Sequence, residues 1–342
     1  MILIRRFILL LSFLLPYFTA YAFPYSGDST VTGPVPTPGA AKDSTQVGYF
    51  HNDVERFGIL VPTMVDTSIT GVQNYDPAFE DSRFIASLGN LGQDYKNIFL
   101  TTPAKWSGFD YGIHTFDKYL YQNDSVKYYR VLKTFTQLKY VQGAKKELFF
   151  EVNFSRNIIR SLNLGFDLRV ISSPGFYANQ KTNHINFVVT AQYFSKTKRY
   201  GAIANLLINR LKNYENGGIK NESMFEQDAE TNRQLIDVNL TGAQNRIRES
   251  GFFMKHYFNL SSHPKSAKDS VFYSRKRVEL GRISYSFEYN RQTQNYIDSK
   301  PKSGFYEHIY LDSIATEDSV SIKKIVNEFT WTNPSFTYDK KL

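Results

Sequence analysis

The chain has 342 residues, no cysteine, 28 Phe, 24 Tyr and a formal net charge of +9. The missing cysteines exclude a disulfide scaffold, thiolate-ligated zinc, an iron–sulfur cluster and thiol catalysis. A hydrophobic content of 42% argues against global disorder. The mean hydropathy is nevertheless -0.39, so a polar average carries a large aromatic excess.

The N-terminus reads Met1-Ile2-Leu3-Ile4-Arg5-Arg6, runs apolar from Phe7 to Phe18, and closes on Ala20-Tyr21-Ala22. A basic start, a short apolar run and a small-residue A-x-A site predict a secretory signal peptide over 1–22. Beyond it, no apolar stretch approaches the roughly 20 residues of a membrane-spanning helix. Residues 23–48 are rich in Gly, Pro, Ser and Thr and predict a flexible leader. Between 54 and 102, short apolar runs alternate with turn chemistry, which predicts early strands. Residues 49–342 then form the folded region.

Period-two alternation becomes clear further along. Leu148, Phe150, Val152 and Phe154 alternate with Phe149, Glu151, Asn153 and Ser155; Leu164, Phe166, Leu168 and Val170 alternate with Asn163, Gly165, Asp167 and Arg169. Phe187, Val189, Ala191 and Tyr193 alternate with Asn186, Val188, Thr190 and Gln192, and Ile283, Tyr285, Phe287 and Tyr289 with Arg282, Ser284, Ser286 and Glu288. Each pattern predicts a strand with one apolar and one mostly polar face. No comparable segment shows a helical period, although 225–236 has room for a helical turn or two. Short connections are expected at 142–145 and 157–161, and long polar ones at 173–183, 212–233, 261–277 and 293–304.

Alternation alone does not separate a protein core from lipid. Three features favour lipid over a soluble β-sandwich. Several strands reach the 9–11 residues that a tilted membrane strand needs. Their polar faces carry Glu151, Asp167, Arg169, Gln192 and Glu288, which suits a wetted lumen. Aromatics crowd the strand ends, among them Tyr128, Tyr129, Tyr140, Tyr177, Tyr193, Phe194 and Tyr200, and such rings settle at membrane interfaces. In lipid every backbone N–H and C=O needs a partner, so the fold class is all-β, an antiparallel transmembrane β-barrel. About 10 to 14 strands are expected.

Glu151, Asp167, Arg169 and Glu288 are the candidate lumen-facing residues; Tyr140, Tyr177, Tyr193 and Tyr200 are the candidate interface aromatics. No catalytic, cofactor or metal residue stands out. The six histidines are scattered without ligand spacing, and no nucleophile elbow or phosphate-binding glycine loop occurs. Lys and Arg do not form the single stripe expected of a nucleic-acid binder.

Six motifs, in this order, carry a resemblance. They are Leu88-Gly89-Asn90-Leu91-Gly92, Gly108-Phe109-Asp110-Tyr111-Gly112, the run from Thr136 to Gly143, Ser173-Pro174-Gly175-Phe176-Tyr177, Lys198-Arg199-Tyr200 and Glu215-Asn216-Gly217-Gly218-Ile219. Together they resemble the putative porins of Bacteroidetes outer membranes, from about residue 50 to at least 220. The resemblance implies an outer-membrane barrel passing small solutes by diffusion, with no enzymatic role and no cofactor. The implied partners are outer-membrane lipids and lipopolysaccharide, diffusing solutes and the barrel-assembly machinery, with no nucleic acid. A non-conducting barrel acting in adhesion, scaffolding or secretion is the alternative. Members of that family look longer, and this chain ends on Tyr338-Asp339-Lys340-Lys341-Leu342 rather than on a strand with a terminal aromatic. The expectation is an N-terminal part of a longer member, in which an incomplete sheet cannot close.

Overall fold

The structure is a computed structural model. It describes residues 47–52, 63–65, 75–79, 84–99, 114–197, 199–221, 223, 232–260, 281–306 and 317–332. The expected signal peptide and nearly all of the expected leader lie outside the described residues, as do the motif at 108–112 and the C-terminal residues. The described residues all belong to the second of two compact units, which begins at Ser44.

Five short strands come first: β1 (Gly48–Phe50), β2 (Thr63–Met64), β3 (Ile85–Ser87), β4 (Tyr95–Asn97) and β5 (Tyr128–Arg130). Gly48, expected in the leader, already belongs to β1. Strands β2, β1 and β5 form one small antiparallel sheet, and β3 pairs with β4. Eight long strands follow: β6 (Phe135–Gln142), β7 (Leu148–Ile159), β8 (Leu162–Ser173), β9 (Thr182–Phe194), β10 (Tyr200–Tyr214), β11 (Ala243–Asn259), β12 (Arg282–Asp298) and β13 (Glu317–Thr332). They pair in chain order as an antiparallel meander, so each contact is local in sequence. The fold is therefore all-β, with an eight-stranded sheet of the porin-like barrel type. Its edge strands, β6 and β13, are not joined to each other. Eight strands in this sheet fall short of the expected 10 to 14, because the early strands are only two or three residues long and pair among themselves.

Two expected connections are corrected. Asn157 to Ile159 continue β7, and only Arg160 and Ser161 make the turn to β8, with a register shift between Asn157 and Ile159. Thr293 to Asp298 continue β12 instead of forming a loop. That stretch looked like loop because it is rich in polar residues. Its alternation survives, with Gln294 and Tyr296 on one face and Asn295 and Ile297 on the other.

Register fixes which side chains share a face, because the side-chain period is two. The inward face is the one on which the N-terminal region packs. It carries Phe149 and Glu151 of β7, Asp167 and Arg169 of β8, His184 to Gln192 at even positions of β9, Asn205 to Asn213 at odd positions of β10, and Glu288 of β12. The outward face carries the exposed apolar residues, including Leu138, Leu164, Ile185, Leu206, Ile208, Phe258 and Phe329. All five acids of β6 to β12 (Glu151, Asp167, Glu249, Glu288 and Asp298) face inward. The longest connection, 215–242, and the connection 299–316 leave from one end of the sheet. The other end carries the short turns 160–161 and 195–199 and the longer connection 260–281.

Candidate functional site

The inward face is not an empty wetted wall. Segments between residues 47 and 131 lie across it, and side chains of the sheet hydrogen-bond their backbone. Most of those residues are in neither helix nor strand, so their buried N–H and C=O groups need partners from elsewhere. Strand β9 supplies four of them in sequence. Thr182 Oγ1 donates to Leu91 O at 2.6 Å, His184 Nε2 to Gly92 O at 2.7 Å, Asn186 Nδ2 to Tyr119 O at 2.5 Å and Gln192 Nε2 to Tyr129 O at 2.9 Å. Since a carbonyl only accepts, His184 carries its proton on Nε2. On β10, Asn209 bonds both backbone groups of Tyr121, and Asn205 donates to the Tyr128 hydroxyl at 2.9 Å.

Apolar side chains fill the gaps between these amides. Phe79, Tyr95, Phe116 and Tyr119 pack on Phe149, Ile171, Leu211 and Ile247. Phe50, Tyr121, Val126 and Tyr128 pack on Val188, Ile203, Leu207 and Phe253. The inward faces of β9 and β10 are therefore mixed, with Val188 on β9 and Ile203, Leu207 and Leu211 on β10 set among polar side chains. The segment is held by burial as well as by hydrogen bonds, and that burial is worth roughly 1.5–3 kcal/mol per fully covered large side chain.

Three of the motifs meet at the long-connection end. In the first, Gly92 has φ +85°, and a Cβ there would sit 2.8 Å from His184 Nε2, so only glycine lets the loop dock. Asn90 donates to Gln180 O and accepts from Ser173 Oγ. Ser173 opens the second motif, where Phe176 and Tyr177 N–H donate to Gln180 Oε1 at 3.1 and 3.2 Å. Glu215 of the third accepts at its backbone from Asn179 Nδ2 at 2.6 Å. Burial pushes the Asp94 carboxyl up to about 6 and the Glu215 carboxyl up to about 7, with the Asp94 charge adding to the second shift.

The four sequence-predicted polar residues all lie on the inward face, and three form one group. Glu151 and Arg169 are register partners on β7 and β8, and Arg169 Nη2 donates to Glu151 Oε1 at 2.8 Å. The guanidinium stands 4.8 Å from the Tyr121 ring centroid, and Asp167 lies next along β8 on the same face. Glu288 is separate, on β12, where Asn123 Nδ2 reaches it at 3.2 Å and Lys324 Nζ at 3.3 Å.

The aromatics divide. Tyr140 faces outward near the long-connection end, and Tyr177 lies in the connection there. Tyr193 and Tyr200 face outward at the other end, with ring centroids 6.1 Å apart, and the Tyr200 hydroxyl meets His256 Nδ1 at 2.9 Å. Tyr128 and Tyr129 instead are buried inside, and Phe194 packs against the same core. Their alternation could not reveal a segment stacked on the polar face.

A family model described as Putative porin matches residues 50–342. The chain belongs to this family. No curated protein and no solved structure matches it. In this member of the putative porins, the residues that sequence reasoning missed are the inward amides and His184. The available signal was the spacing of Asn205, Asn209 and Asn213 on one face of a strand otherwise apolar on both sides.

Proposed function

We propose that this protein is an outer-membrane channel through which small solutes diffuse passively, with no bond-making step. The observation that carries this reading is the partition of faces. Strands of 12 to 17 residues from β7 to β12 present apolar side chains outward and every carboxylate of these strands inward. Family membership supports it, and so does the length, since 9–11 tilted residues suffice to cross a bilayer. Solutes would pass on the side of β12 and β13, where Gln292 and Gln294 are only half-buried and Lys324 is exposed. Glu288, Lys324, Glu151 and Arg169 would then bias passage electrostatically.

One observation favours the rival class, a non-conducting barrel serving in adhesion, scaffolding or secretion: the inward face of β7 to β11 is filled by the chain's own segment. Single-channel recording on the refolded full-length protein in a planar bilayer decides between them. Stepwise current supports the channel. Its absence at every voltage overturns that reading in favour of the rival.

A further inference from the structure

We infer that six cations on the outward face of β10 to β13 form a docking surface for the phosphorylated headgroups of lipid. They are Arg210, Lys212, Arg246, Arg248, Arg291 and Lys323, and the inference rests on the outward face meeting the membrane. The decisive feature is how they pair. Arg210 stands directly opposite Arg248, Lys212 opposite Arg246, and Arg291 opposite Lys323. Like charges directly across a ladder destabilise a sheet. Three such pairs side by side need an anion.

Among the described residues no carboxylate lies within ion-pair distance of any of the six. The outward face of β6 to β12 carries no Asp or Glu, and on that face of β13 Glu317 lies six residues from Lys323. Among the described residues, Arg246 donates to Gln244 at 3.0 Å, and Lys212 donates to the Tyr214 hydroxyl at 2.6 Å and lies over its ring. Arg210, Arg248, Arg291 and Lys323 are exposed. A groove of about 420 Å³ lies among Arg210, Arg248 and Arg291, with Ile208, Asn209, Glu249, Ser250 and Thr293 also lining it; the Glu249 carboxylate is on the inward face and bonds Asn209 and Asn290.

Position identifies the occupant as an amphiphile. Next along the strands on the same face come Ile208, Tyr289 and Ile325, and on β11 Ser250 followed by Phe252, where the apolar band begins. From Tyr200 to Arg210 the chain advances about 33 Å along the strand, or about 25 Å along the membrane normal at a tilt of roughly 40°. That height matches the apolar band of an outer-membrane barrel, about 25 Å. The cations therefore stand where headgroups would, at the end that bears the single longest connection, 215–242. The longer connections of such barrels lie on the external side. Arginine suits the role, because its planar fork binds phosphate oxygens in pairs.

The test uses delipidated full-length protein in detergent. Native mass spectrometry compares retention of bis-phosphorylated lipid A with its phosphate-free counterpart, and inorganic phosphate is titrated separately. Wild type should retain the phosphorylated lipid at least tenfold better than the phosphate-free one, and the triple variant Arg210→Gln, Arg248→Gln, Arg291→Gln should lose that preference. Without lipid, the variant should unfold at the same or a higher temperature than wild type, since repulsion is relieved. Equal retention of both lipids by wild type, or an unchanged preference in the variant, overturns the docking surface. Equal protection by inorganic phosphate overturns the lipid as its occupant. Flotation with phosphatidylcholine vesicles separates the two levels. Protein that does not float overturns the membrane-facing reading along with the site, whereas protein that floats without preferring lipid A overturns the site alone.

Discussion

Asn209 grips the backbone of Tyr121 from both sides: its Oδ1 accepts from Tyr121 N–H at 3.1 Å and its Nδ2 donates to Tyr121 O at 2.8 Å. The side chain thereby imitates a neighbouring strand for a residue that has none. It also donates to Glu249 Oε2 at 2.8 Å, tying the segment to a buried acid on β11. Both Asn209 and Tyr121 are buried, so water cannot replace these bonds.

Replacing Asn209 with Ala should therefore cost about 2–4 kcal/mol, since two backbone groups and a carboxylate lose partners. Urea unfolding followed by band-shift electrophoresis measures the loss. In planar bilayers the same variant should also show larger or more frequent current steps, because residues 119–131 are held less firmly. An unchanged midpoint would mean that the segment is anchored by burial alone.

Arg169→Met should destabilise by about 3–5 kcal/mol, because it removes the cationic partner of Glu151 on a largely covered face. Exposure of the two side chains is 19% and 15%, so solvent screens the pair weakly. The double variant Arg169→Met, Glu151→Leu should recover much of that loss. A double-mutant cycle checks this, and additive losses would contradict direct coupling.

The strands whose polar face carries scattered charge were legible in the sequence. Residues 148–154, 164–170 and 283–289 alternate with a period of two, and register places Glu151, Asp167, Arg169 and Glu288 together on one face. What the alternation hid was the occupant of that face. Ile203, Leu207 and Leu211 interrupt the polar row of β10 because they share core clusters with Phe50, Tyr121 and Phe116, from segments roughly 90 to 150 residues earlier. Non-local packing of this kind leaves no period to detect. The glycine motifs were visible as turns, but their convergence on Asn90, Ser173 and Gln180 needs the fold.

Gly201 lies directly opposite Tyr257, and a Cβ there would drive into the tyrosine ring. The ring cannot swing aside freely: Phe194 lies 6.4 Å away and the Arg282 guanidinium stands 4.3 Å from its centroid. Gly201→Ala should thus cost about 1–3 kcal/mol through overpacking. The double variant Gly201→Ala, Tyr257→Leu should fold better than the single one. Thermal unfolding monitored by electrophoretic mobility distinguishes them.

Docking of the 84–99 loop should weaken as pH rises. Asp94 and Glu215 begin from ordinary values of 3.8 and 4.5 and are raised to about 6 and about 7, chiefly by burial. A carboxyl whose pKa is raised on folding binds its proton more tightly in the folded state. Between about 4 and 7 the folded state therefore holds more protons than the unfolded one, and stability falls with increasing pH. Below both ranges the two states are equally protonated and the effect vanishes. Hydrogen exchange of residues 84–99 should accordingly be slower at pH 5 than at pH 8. The variant Asp94→Asn, Glu215→Gln should keep the slow exchange at pH 8 after correction for the intrinsic rate, because neither amide ionises. Identical pH profiles in variant and wild type would show that these two carboxyls do not control the docking.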